Sequence, residues 1–112
     1  MKQPDDSIRI KHMLEAAQKA VRLIKGKSRP AFDEDETLAL ALTRLLEIVG
    51  EAANGVSPSL RETHPHIAWK EIIGVRHHLI HGYFEVDYDI VWQILTSDLP
   101  PLIADLEKLT GK

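Results

Sequence analysis

Apolar residues recur at intervals of three and four along most of the chain, the spacing that gathers them on one face of an α-helix. In the first stretch, from about Asp5 to Lys25, the recurring positions are Ile8, Met13, Ala16, Ala17, Ala20, Val21 and Ile24. Gly26 stops it, and Lys27, Ser28, Arg29 and Pro30 read as a loop. The second stretch opens at Asp33-Glu34-Asp35-Glu36, where Asp33 can cap and Glu36 can reach back, and runs from Thr37 to about Asn54. It is apolar over most of its circumference. Leu38, Leu42, Leu45, Val49 and Ala52 form a stripe flanked by Ala39, Leu40, Leu46 and Ala53, and only Arg44, Glu47 and Glu51 interrupt it. Such a helix is expected both to centre the core and to meet a partner subunit, in which case Leu42→Glu or Leu46→Glu should give monomers or insoluble protein.

Asn54-Gly55 ends that helix, and Ser57-Pro58 starts a short one reaching Glu62. A third long helix is expected from about Ile67 to His81, stopping near Gly82. Asp87 caps a fourth, with Ile90, Val91, Ile94, Leu95, Leu102, Ile103, Leu106 and Leu109 in register. Pro100 and Pro101 bring no backbone donors, which predicts a kink or break near Ser97. Two segments carry no more than a faint strand signal. The fold class is therefore all-α, an antiparallel bundle of four main helices plus a short one in a single domain, residues 1–112.

Composition adds exclusions. The chain has 112 residues, a net charge of −3 and no cysteine, which rules out disulfides and thiolate chemistry. Without a basic excess, nucleic acid would have to be met by a local patch. Arg22, Lys25, Lys27 and Arg29 form the one basic cluster, explained equally well as cations at a helix C-terminus. No apolar run is long enough to cross a bilayer, and Met-Lys-Gln-Pro-Asp-Asp has no signal-peptide core, so the cytoplasm is expected. Trp69 and Trp92 read as core residues rather than base-stacking platforms, and His64 and His66 as exposed loop residues.

Side chains capable of catalysis concentrate in Gly74-Val75-Arg76-His77-His78-Leu79-Ile80-His81-Gly82-Tyr83. Metal-free RNA cleavage needs a base for the ribose 2′-hydroxyl, an acid for the leaving 5′-oxygen and a cation for the phosphate. Imidazole, with an ordinary pKa of ~6.5, serves the first two. Guanidinium, always charged and able to bind two phosphate oxygens at once, serves the third. On one regular helix, however, Arg76 and His81 point ~140° apart. Either the helix unwinds at its end, or two protomers pair to build a shared cleft; the second also gives the apolar second helix a face to bury. His77 and His81, four apart, could ligate a metal, but no third ligand lies nearby.

Arg76-His77-His78-Leu79-Ile80-His81-Gly82-Tyr83 resembles the Arg-x4-His-x-Tyr signature of HepT-like toxins of the HEPN superfamily. The similarity extends to Leu45–Ala53, to His66–Gly74, and to Gly82–Asp87, Val91-Trp92 and Asp98–Leu102, in the family's order. The resemblance implies a HEPN-like helical domain that dimerises and acts as a metal-independent endoribonuclease without cofactor. Arg76 would stabilise the scissile phosphate and His81 would transfer protons. It also implies a minimal nucleotidyltransferase antitoxin as partner, transferring AMP to Tyr83. His77 stands where the family commonly carries asparagine, which changes the hydrogen bonding beside the arginine. His77, Glu47 and Glu51 are supporting candidates; the two glutamates would face the cleft or the antitoxin on one reading and solvent on the other. A non-catalytic helical subunit that serves the nucleotidyltransferase as acceptor, or a nucleotide-binding bundle, would use the same residues.

Overall fold

The structure, a computed structural model, describes residues 5–81 and 85–111. These are mostly helical: α1 (Asp6–Ile24), α2 (Arg29–Asp33), α3 (Glu36–Asn54), α4 (Pro58–Thr63), α5 (Trp69–Ile73), α6 (Val75–Leu79), α7 (Tyr88–Gln93) and α8 (Leu99–Leu109). Between α6 and α7, strands β1 (Ile80–His81) and β2 (Glu85–Val86) pair antiparallel, Ile80 opposite Val86 and His81 opposite Glu85.

Side-chain caps set most of the helix starts. Asp5 accepts from Ser7 N–H at 3.0 Å, Ser57 from Leu60 N–H at 3.3 Å, and Asp87 from Ile90 N–H at 3.1 Å. Each such cap is worth about 1 kcal/mol. Two expectations need correction. Asp35, not Asp33, caps α3, accepting from Leu38 N–H at 2.9 Å. Asp33 instead ends α2, a short helix where a loop was expected, started by Ser28 and Pro30. Gly26 does end the first helical stretch, at φ +77°, a conformation open to glycine.

Helix α3 is the central post, touching α1, α2, α5, α6, α7 and β2. Met13, Phe32, Leu42, Leu46, Leu79, Leu95 and Leu106 fill the core around it. Leu42 is 0% exposed and Leu46 2%, so both are interior residues and neither can report on a subunit surface. The outward residue is Leu40, 54% exposed, with Leu45 and Ile48 half-buried. Ile8, expected in the first apolar stripe, is 46% exposed; Ile10 and Leu14 take the interior places. Trp69 is buried and its Nε1–H donates to the His64 carbonyl at 3.0 Å, while Trp92 packs 5.4 Å from Phe32. Trp69 is a core residue, as expected, and Trp92 is half-buried against the core.

The prolines act where predicted. Ile94–Asp98 forms a π-helical turn, with Leu99 N–H donating to the Ile94 carbonyl, and α8 starts with Pro100 and Pro101 in its first turn. A wider turn is one way to absorb the hydrogen bonds that the two prolines cannot make.

One long-range tether joins α1 to the start of α4. The Asp6 carboxylate accepts from Ser57 Oγ–H at 2.6 Å and from Ser57 N–H at 2.9 Å, and these two bonds, the hydroxyl first, hold its pKa below the ordinary 3.8. A depressed carboxylate stabilises the fold above its unfolded pKa and loses that contribution as pH falls through the folded value. Asp6→Asn is expected to lower the melting temperature at pH 7, by a small amount because the site is only part-buried. The gap to wild type should close as pH falls below about 3.8. A constant gap from pH 7 down to pH 2 would show that the carboxylate charge is not what holds the tether.

Candidate active site

The third long helix expected from Ile67 to His81 is not continuous. It is divided into α5 and α6 by a turn at Gly74, and helical structure ends at Leu79. Ile80 is extended, at φ −122° and ψ 122°, and Asp87 N–H donates to the Leu79 carbonyl at 2.7 Å, locking the exit into the hairpin. Cross-strand bonding to Glu85 and Val86 therefore takes over before Gly82 is reached. The helix unwinds ahead of His81, so the ~140° divergence calculated for a regular helix does not apply to this pair. For the same reason, His77 and His81 do not share a helical face, which removes the spacing argument for a metal. Among the described residues, no group of three His, Asp or Glu side chains could hold a metal ion. His81 is described by its backbone in β1, and Tyr83 lies outside the described residues.

Arg76 projects from α6 with its side chain 75% exposed, and its Nε lies 3.2 Å from Oε2 of Glu47 on α3, a side chain only 15% exposed. Among the described residues its two Nη groups take no partner. The pair adds little stability, about 0–1 kcal/mol for so exposed a cation. Its consequence is placement: a nearly buried carboxylate draws the guanidinium to α3 by charge, and the Nη edge takes no partner among the described residues. That edge carries two parallel N–H vectors, the geometry that grips a phosphate.

The two glutamates singled out on α3 thus part company. Glu51 pairs with Arg44 at 3.1 Å on the exposed face and stays apart from Arg76, while Glu47 belongs to it. His77 and His78 are exposed on α6. Arg29, counted in the basic cluster, is engaged by Asp33 at 2.7 Å and Asp89 at 2.6 Å, which raise its pKa in that order and leave it less available to a phosphate. His64 is half-buried rather than exposed; His66 is exposed.

Gly50 explains how α6 comes close enough for Glu47 to reach Arg76. A methyl group there would lie 2.9 Å from the Ile72 carbonyl oxygen and 3.1 Å from Val75 Cγ1. Gly50→Ala gains about 1 kcal/mol of helix propensity but forces apart two backbones, a cost of roughly 1–3 kcal/mol. The clash wins because its partner is a carbonyl and cannot rotate away. A net loss of about 1 kcal/mol in urea unfolding is expected; a gain would mean that α3 and α5 are not so closely apposed.

A sequence model of the family described as Ribonuclease HepT-like matches residues 13–109, nearly the whole chain. The chain belongs to the HepT-like family. A protein of Caldanaerobacter subterraneus named "Putative RNase" is 36% identical over 103 residues, covering 92% of each chain. One of the same name from Methanocaldococcus jannaschii is 35% identical over 95 residues, covering 85% of this chain and 87% of its own. The "Probable ribonuclease HepT" of Thermococcus cleftensis is 36% identical over 103 residues, covering 88% of this chain and 94% of its own. No solved structure matches the chain. Ribonuclease is thus supported as the activity at the level of the family, and no helix among the described residues is long and apolar enough to cross a membrane.

Proposed function

We propose that this chain is the toxin of a type VII toxin–antitoxin system, a cytoplasmic, metal-independent endoribonuclease made of one HepT-like helical domain. Its cleft is built by two protomers, each bringing Arg76 and His81. The observation that carries this reading is the Glu47–Arg76 pair, which presents an otherwise unengaged guanidinium edge to solvent beside the motif. The ribose 2′-oxygen attacks phosphorus as a base takes its proton, and the bond to the 5′-oxygen breaks as that oxygen is protonated. The products are a 2′,3′-cyclic phosphate and a free 5′-hydroxyl. His81 serves the proton transfers; Arg76 meets the charge that grows on the two non-bridging oxygens. In such a cleft the His81 of one protomer acts as base and that of its copy as acid, with His77 as a supporting imidazole beside Arg76.

The exposed Leu40 on α3, with Leu45 and Ile48 only half-buried against the core, supports pairing there. Regulation follows from position. AMP added to Tyr83 by a partner nucleotidyltransferase would place a phosphate and its negative charge within the motif, competing with RNA for Arg76. The test is the intact mass of the protein made with and without a minimal nucleotidyltransferase encoded beside it. A gain in multiples of one adenylate, lost in Tyr83→Phe, is expected. An unchanged mass, or a gain that survives Tyr83→Phe, would remove the modification from this account.

A further inference from the structure

A groove of about 490 Å³ opens on the flank of α6 away from Arg76. Its two walls are helical stripes. Ile90, Ile94, Asp98, Leu102 and Asp105 recur at intervals of three and four from α7 through the π-helical turn into α8. Glu71, Val75 and His78 line the other wall from α5 and α6, with Ile67 just ahead of α5, and Leu46 and Val49 of α3 make the floor. The longer stripe spans about 22 Å at 1.5 Å per residue. Pairs of parallel stripes over an apolar floor make a trough that suits an elongated occupant with anchors at helical spacing.

The rim has one sign. Glu71, Asp98 and Asp105 line it, and no lysine or arginine does among the described residues. Asp105 has only His66 nearby, 3.8 Å away, and Glu71 and Asp98 have no ion-pair partner among the described residues. These carboxylates repel a phosphate backbone and favour a cation. The π-helical turn in the wall is an irregularity that recurs at functional sites.

We propose that this groove docks a basic amphipathic helix supplied by a protein partner, its apolar face on the half-buried Val75, Ile90 and Ile94 and its lysines or arginines on the acidic rim. Leu46 and Val49 face about 170° away from the Leu40–Ile48 side of α3. The groove therefore stays open when two protomers meet through that side. The inference stands apart from the nuclease reading, since Arg76 does not line the groove.

The probe is a fluorescent helical peptide of about 16 residues, matching the groove's length, with leucines on one face and lysines on the other. Binding is read by anisotropy with the full-length protein. The expected result is binding that weakens with salt and that falls about tenfold in Asp98→Lys/Asp105→Lys. It should also fall about tenfold when the leucines are scattered around the peptide. Glu15→Lys/Glu34→Lys, the same charge change on exposed residues outside the groove, should stay within about twofold of wild type. Asp98→Lys alone, at an exposed position, serves if the double variant melts early. Equal weakening by both double variants would reduce the effect to net charge and overturn the proposal. So would a change of oligomeric state in Asp98→Lys, which would assign the groove to a second copy. Protection of the Ile94–Leu102 amides from hydrogen exchange by RNA rather than by the peptide would overturn it as well.

Discussion

Arg76→Ala is expected to cut RNA about 10²–10³-fold more slowly than wild type in EDTA, the usual cost of removing one donor aimed at the transition-state charge. Glu47 lies against the Nε side and the Nη edge has no partner among the described residues, so the guanidinium can meet two phosphate oxygens. Arg76→Lys should recover little, because an ammonium is a point charge that cannot bridge two oxygens. Glu47→Gln should fall between wild type and Arg76→Ala, with its melting temperature close to wild type, since the pair itself contributes little stability. His81→Ala should lose about 10²–10⁴-fold through the proton transfers. If pure wild type, Arg76→Ala and His81→Ala all leave the same residual cleavage, the activity is contamination. The chain would then be a helical acceptor subunit for a nucleotidyltransferase rather than an enzyme.

What the sequence disclosed was set by how local the deciding interactions are. Ser57-Pro58 and Asp87 announced helix starts correctly because a cap acts on amides two or three residues ahead. Pro100 and Pro101 placed the irregularity of the last helix for the same reason. Ser28 and Pro30 carried the same signal for α2, but it sits directly behind the Gly26 stop and starts only a very short helix. The end of α6 was not legible. Ile80 leaves the helix to pair with Val86, and nothing within a turn of Ile80 specifies that partner. On α3, an almost wholly apolar circumference gives period 3.6 little contrast to work with, so the flanking Leu40 and Leu46 looked alike although one is exposed and the other buried. The choice of Glu47 over Glu51 followed the same rule. Gly50, three residues on, was the available sign that another backbone passes close to that side of α3.

Leu40→Glu combined with Ile48→Glu is expected to leave a folded monomer with little nuclease activity, whereas Leu42→Ala should unfold far more easily without any change of face. The two outcomes rest on different terms. Leu42 is fully enclosed, so truncation removes its transfer free energy and leaves a cavity, about 2–5 kcal/mol in all. That is a large share of the roughly 5–15 kcal/mol that holds a domain of this kind. Leu40 is more than half exposed and Ile48 only half-buried against the core, so charging them costs the isolated fold less than truncating Leu42 does; the larger penalty falls on whatever covers them, where two carboxylates would be desolvated without partners. If base and acid are the His81 of one protomer and that of its copy, a monomer that keeps its fold lacks one of the two. Light scattering combined with cleavage assays across a dilution series reads this directly: wild-type specific activity should fall as the dimer dissociates, and the double variant should begin at the low end. A soluble monomeric double variant cutting at the wild-type rate would show that one chain suffices, and Arg76 and His81 would then have to converge within a single protomer through the hairpin that follows α6.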